Sequence, residues 1–133
     1  MVEKIHHVGI AVNNLEEALR FYRDVLGLPV HKQAVLEEQG VKAALLTIGQ
    51  SEIELLEPLS PESPVGRFLE RRGEGVHHIC LQTPDVAAEM EHFKQKGVEL
   101  IDQRPRRGLA GLVCFAHPKS TRGVLIELAT PVE

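Results

Sequence analysis

A chain of 133 residues, 43% hydrophobic and 26% charged, has the make-up of one soluble globular domain and too much apolar content for intrinsic disorder. Its 15 basic and 19 acidic residues leave a formal charge of −4, which argues against a general affinity for nucleic acid or anionic membranes. No apolar run approaches the roughly 20 residues of a bilayer span.

The opening MVEKIHHVGI lacks the apolar core and cleavage site of a secretory signal and reads as a strand. A helix is predicted from Asn14 to Leu26. Asn14 is its N-cap, Glu17 its N3 partner, and Leu15, Ala18, Leu19, Tyr22, Val25 and Leu26 form one apolar face ended by Gly27. Strands are predicted over Val30–Leu36, Val41–Ile48 and Glu52–Leu56, with Gly49-Gln50-Ser51 as a hairpin turn. The join, about 58–73, is rich in Pro, Ser and Gly. It predicts a short helix capped by Ser63, with Pro64 at N1 and Val65, Phe68 and Leu69 inward. A strand at 76–81, a helix over Asp85–Lys96, and strands over Val98–Asp102, Leu112–Ala116 and Gly123–Ala129 complete the chain.

The chain thus repeats itself as two β-α-β-β-β modules, about 3–57 and 74–130, in a single domain covering residues 1–133. Ile5-His6-His7-Val8-Gly9-Ile10 recurs as Val76-His77-His78-Ile79-Cys80-Leu81, a separation of 71 residues that the N-caps Asn14 and Asp85 share. Glu54 and Glu127 follow in matching late strands, 73 apart. Neither module could bury a sufficient core alone. Strand side chains alternate faces, so only one histidine of each pair points inward, and the pattern does not choose between His6 and His7 or between His77 and His78. Glu127 lies between Leu125 and Ala129 on its face, where a carboxylate needs a cation, a metal or a donor. Glu54, with Glu52 and Leu56 on its face, is the weaker signal. One His and one Glu from each module would suit Zn, Co, Mn, Ni or Fe(II). Taken singly, each is more simply a core or surface residue. Four in matching positions make a shared ion as good a reading as the simpler one.

Other groups carry less. Arg104, Arg106, Arg107, Lys119 and Arg122 concentrate positive charge, either as a solvated loop or as a contact for a phosphate-bearing ligand. His31, His92 and His117 have no partner in the repeat and read as structural or exposed. Cys80 and Cys114 form no C-x-x-C pair, sit in apolar stretches and read as reduced, buried thiols of a cytoplasmic protein with no nucleophilic role. There is no P-loop, no G-x-G-x-x-G and no G-x-S-x-G.

IHHVGIAV at 5–12, EIELLEPLSPESPVGRFL at 52–69, GEGVHHICL at 73–81 and HPKSTRGVLIEL at 117–128 resemble, in order, the vicinal oxygen chelate superfamily, and within it the methylmalonyl-CoA epimerases. The resemblance spans nearly the whole chain. It implies an α+β fold in which tandem βαβββ modules form a cupped mixed sheet around a divalent metal. The ligands it implies are His7, Glu54, His78 and Glu127. It further implies a homodimer, and interconversion of (2R)- and (2S)-methylmalonyl-CoA through an enolate, with Co, Mn, Ni or Zn. The basic loop, Lys119 included, becomes a contact for the CoA phosphates. Some epimerases carry a glutamate, a proposed base, where this chain has Ala43 after Gln39-Gly40-Val41. Glu127 is then the first candidate base and Glu54 the second, with water, Glu37 or Glu38 as further choices. A glyoxalase I-type lyase and a non-catalytic binding member of the superfamily are the competing readings. Ring-cleaving dioxygenases, with two His and one carboxylate, are disfavoured by Glu54.

Overall fold

The structure is a computed structural model that describes residues 1–132. It divides into two compact units. One is contiguous, His7–His77. The other joins Met1–His6 to the residues from His78 onward. Both divisions fall inside a His-His pair. The units therefore regroup the repeat, moving residues 58–77 to the first module and residues 1–6 to the second.

In the contiguous unit the strands are β1 (Lys4–Ala11, from His7), β2 (Val30–Leu36), β3 (Val41–Ile48) and β4 (Ser51–Pro58), in the order β2-β3-β4-β1. β2, β3 and β4 run antiparallel, and β1 lies parallel to β4. Helix α1 (Leu15–Tyr22) lays Leu15 and Leu19 on Ala44, Leu46 and Leu55, which share one face of these strands. The opposite face carries Ala43, paired with Leu56, and Leu45, paired with Glu54. Helix α2 (Pro64–Arg72) begins as the sequence predicts, with Ser63 Oγ accepting the Gly66 N–H at 3.2 Å.

The split unit contains β5 (Gly75–Gln82, from His78), β6 (Arg106–Gly108), β7 (Gly111–Ala116) and β8 (Ile126–Thr130), in the order β5-β8-β7-β6. Helix α3 (Val86–Gln95) packs Val86 and Met90 on Cys114 and Leu128. The opposite face holds Cys80, Ala110, Val113 and Ala129. Residue Glu3 joins this unit through its N–H, which donates to the Gln82 carbonyl at 2.8 Å.

The α+β class and the order β-α-β-β-β hold in each half, but several boundaries move. α1 ends at Tyr22, four residues short of Leu26. There the N–H groups of Asp24 and Leu26 reach carbonyls five residues back, Leu19 and Phe21, so the helix widens before Gly27 turns the chain at φ +76°. The strand expected over Val98–Asp102 is reduced to one bridge, Leu100 to Ala116. The Asp102 carboxylate accepts the Phe115 N–H at 2.7 Å and so takes a backbone ladder position. The short β6 replaces it as the edge strand, with a polar Arg-Arg-Gly sequence that no alternation would reveal. β8 starts at Ile126 and not Gly123, because Arg122 and Gly123 turn at φ 66° and 91° and the Thr121 hydroxyl donates to the Val124 carbonyl.

Candidate metal centre

Each unit brings a buried histidine and a buried glutamate together in the same way. In the contiguous unit, His7 is fully buried on β1 and its Nε2 lies 3.2 Å from Glu54 Oε1 on β4. The parallel register sets Glu54 beside Gly9, two residues past His7. Leu45 and Leu56 flank the carboxylate on β3 and β4. In the split unit, His78 Nε2 lies 2.9 Å from Glu127 Oε1. Here the register sets Glu127 beside Cys80, again two residues past the histidine. The repeat therefore extends to strand register.

The structure resolves the ambiguity of the paired histidines. His7 and His78 meet the glutamates, whereas the His77 ring packs edge-on against Phe68, with centroids 5.0 Å apart. Glu54 and Glu127 are each only 5% exposed. A carboxylate so withdrawn from water needs compensation, which a neutral imidazole supplies only in part. In each unit an imidazole nitrogen and a carboxylate are donors of the kind that suit a divalent first-row ion.

A second layer holds His78. The Phe115 ring stands edge-on to it, centroids 5.6 Å apart at 85°. Phe115 is in turn covered by the Arg106 guanidinium, 5.7 Å from its centroid, which pairs with Asp102 Oδ1 at 2.9 Å. Arg106 is thus a fixed part of this wall and not a solvated loop charge. The other basic residues, Arg104, Arg107, Lys119 and Arg122, are exposed. Lys119 lies in a 3-10 turn whose cap is His117, with Nδ1 accepting the Lys119 N–H at 3.0 Å. His117 is structural, as expected. Burial, then the charges of Asp102 and Glu127, push the Cys114 thiol up to about 12, so it stays protonated and is no nucleophile.

The sequence reading missed one arrangement. His31, expected to be structural or exposed, is 51% exposed, and its Nδ1 lies 2.7 Å from Glu52 Oε2. The signal for it is slight. Glu52 alternates onto the Glu54 face, but nothing in the residues of β2 announces the irregularity that delivers His31 there. Ala43 is fully buried on that same face, between Ala34 and Leu56. Glu37 and Glu38 lie in an exposed 3-10 turn.

The model of the glyoxalase/bleomycin resistance protein/dioxygenase superfamily matches residues 6–116. The chain belongs to this superfamily. Within it, the chain is 38% identical to the mitochondrial methylmalonyl-CoA epimerase of Mus musculus over 94% of its own length and 71% of the relative's. It is 37% identical to an ethylmalonyl-CoA/methylmalonyl-CoA epimerase of Cereibacter sphaeroides, over 96% and 98% of the two chains. A solved structure, a variant of Streptomyces coelicolor methylmalonyl-CoA epimerase in complex with 2-nitronate-propionyl-CoA, superposes with a TM-score of 0.96 at 42% identity, covering 100% of both chains. Such full-length similarity places the chain in the epimerase family of the superfamily.

Proposed function

We propose that the protein is a methylmalonyl-CoA epimerase and that His7, Glu54, His78 and Glu127 together hold one divalent metal ion. The observation that carries this reading is the doubled half-site, a buried His Nε2 against a buried Glu carboxylate at the same register offset in both units. Full-length similarity to acyl-CoA epimerases supports the substrate class.

The reaction exchanges the proton on C2 of the acyl group, which lies between a thioester and a carboxylate. Removing it leaves an enolate whose charge gathers on the thioester oxygen. A divalent cation in the site would supply Lewis-acid stabilisation of that charge. The chain's own residues handle the proton. Glu127 takes it on one face of C2, and Glu54 returns one on the other. Ala43 can carry no proton, Glu37 and Glu38 sit in an exposed turn, and Glu52 on the same face is paired with His31, which leaves Glu54, beside His7, as the carboxylate for this role. Exposed Lys119 is a contact for the CoA phosphates. Buried, unbridged Cys80 and Cys114 support a reducing, cytoplasmic setting, and the exposed apolar side chains of Phe21, Val25 and Leu26 support a homodimer.

The test is solvent-deuterium incorporation. Protein loaded with Co(II) or Mn(II) is given one epimer of methylmalonyl-CoA in D2O. Metal-dependent exchange at C2 with loss of configuration is expected. Exchange with retained configuration would remove Glu54 from its role. No exchange with metal bound would overturn the epimerase reading and redirect attention to the hemithioacetal of methylglyoxal and glutathione.

A further inference from the structure

Arg106 is built into the split unit more tightly than a surface arginine needs to be. On β6 it lies opposite Val113 of β7, which in turn lies opposite Ala129 of β8. Side chains alternate along a strand, so Arg106 shares its face with Val113 and Phe115, with Glu127 and Ala129, and with His78 and Cys80 of β5. The packing of Cys80, Val113 and Ala129 into one cluster agrees with this parity. Among the described residues of β5 to β8, Arg106 is the one lysine or arginine on that face. Arg107 pairs with Leu112 and faces the other way.

Its side chain is held at two places. Nε lies 2.9 Å from Asp102 Oδ1, and the guanidinium covers the Phe115 ring, 5.7 Å from its centroid. The second Asp102 oxygen accepts the Phe115 N–H at 2.7 Å, so one carboxylate ties down both the arginine and the strand beneath it. These contacts leave the far end of the guanidinium unused. Among the described residues none accepts a hydrogen bond from Nη1 or Nη2. The side chain is 36% exposed, against 12% for Asp102. A planar fork fixed at Nε and open at both Nη atoms is preformed for a carboxylate.

The position of the fork selects among possible anions. Phe115, the ring beneath it, is the register partner of Glu127 and stands edge-on to His78 with centroids 5.6 Å apart. The fork is therefore one side chain away from both. A malonyl thioester brings its own C2 carboxylate to this place, where the buried Glu127 repels it. A cation on the same face offsets that repulsion. The CoA phosphates match less well, because the long pantetheine arm holds them far from C2.

We infer that the Arg106 fork receives the C2 carboxylate of the malonyl thioester and so makes the protein select carboxylated over simple acyl-CoA. The inference rests on the epimerase reading above and adds a specificity-determining residue to the same site. Asp102 is its positioning residue, and the Phe115 ring its platform.

The experiment compares methylmalonyl-CoA, as the equilibrium mixture of epimers, with isobutyryl-CoA, in which a methyl group replaces the carboxylate. Binding of each is measured by calorimetry on Co(II)-loaded wild type, Arg106→Met and Arg106→Lys, with Tm and bound metal recorded. Met keeps an unbranched chain over Phe115, and Lys keeps a cation for Asp102 should the Met variant fail to fold. Wild type is expected to bind methylmalonyl-CoA at least about tenfold more tightly than isobutyryl-CoA. Arg106→Met should abolish that preference, and Arg106→Lys, which has no fork, should lower it at least about threefold. Affinity for isobutyryl-CoA and metal content should stay near wild type. A loss shared equally by both thioesters would overturn the inference, because a phosphate contact or a merely structural wall moves both alike. An unchanged preference in either variant, or none in wild type, would overturn it too. Binding involves no turnover, so Arg106 is judged separately from the epimerase reading, which falls if wild type with metal bound never exchanges C2 in D2O.

Discussion

Replacing Gly66 by alanine sets two opposed effects against each other. Alanine in a helix is favoured over glycine by about 1 kcal/mol. On propensity alone, Gly66→Ala would stabilise α2. The added methyl, however, would lie 2.4 Å from the Ser60 carbonyl oxygen and 2.7 Å from that of Pro61. Both are backbone atoms and cannot rotate aside, so the first turn of α2 must shift by several tenths of an ångström. That shift strains the cap, in which Ser63 Oγ donates to the Ser60 carbonyl at 2.8 Å and accepts the Gly66 N–H at 3.2 Å. Overpacking costs about 1–3 kcal/mol and a damaged cap about 1 kcal/mol more. After the propensity gain, the net loss is about 1–3 kcal/mol. Unfolding entropy of about 2.1 cal/mol/K per residue makes this a Tm lowered by about 4–11 °C. Calorimetry of wild type, Gly66→Ala and the exposed control Arg67→Ala tests it, with the control expected to stay near wild type. A Gly66→Ala protein as stable as wild type, or more stable, would mean that the close approach does not govern this turn.

Further expectations follow from the same geometry. Thr130→Val removes an oxygen that accepts the Val86 N–H at 2.8 Å and donates to the Thr83 carbonyl at 2.9 Å; urea titration should show a loss of about 2 kcal/mol, and a midpoint within error of wild type would refute it. Chelation of bound metal should lower Tm, since an ion at about 100 times its Kd stabilises by about 2.7 kcal/mol, and a Tm indifferent to Co(II) or Mn(II) would argue against the four-residue site. Cys114, with its thiol raised to about 12 in the folded protein from an ordinary 9.0, should resist iodoacetamide at pH 8 in peptide mapping. Between those two values the unfolded chain has released a proton that the folded chain keeps. Cys114 therefore lowers stability as pH rises from about 9 toward 12, and a stability flat across that range in wild type but not in Cys114→Ala would contradict the sign.

How far these features could be read from residues alone depends on the range of the signal. The caps Asn14, Ser63 and Asp85 were legible because capping is a contact over three residues, and all three hydrogen bonds are present. β2 and β3 were legible to the residue because turn residues bound them, Gly27 and Pro29 before β2, Gly40 between the two strands and Gly49 after β3. The two glutamates were legible through the repeat, although parity could not choose within each His-His pair. What escaped depends on partners distant in sequence. Asp102 displaces a strand by reaching the Phe115 N–H, β6 exists only because β7 offers it a partner, and His31 joins Glu52 only because a bulge shifts the register. None of these leaves a periodic mark.

The split unit has a consequence for the order of events during synthesis. Residues Met1–His6 are made well before the rest of their unit, since the strand residue that receives Glu3 is Gln82, 79 positions later. Throughout that interval the opening hexapeptide has no place to dock, while His7–His77 emerges with its helix, hairpin and core residues all present. Vectorial synthesis at about 5–20 residues per second gives that middle segment several seconds alone. Residues 1–6 are thus secured later than the segment that follows them, and their strand forms only when a partner most of a domain away has been made.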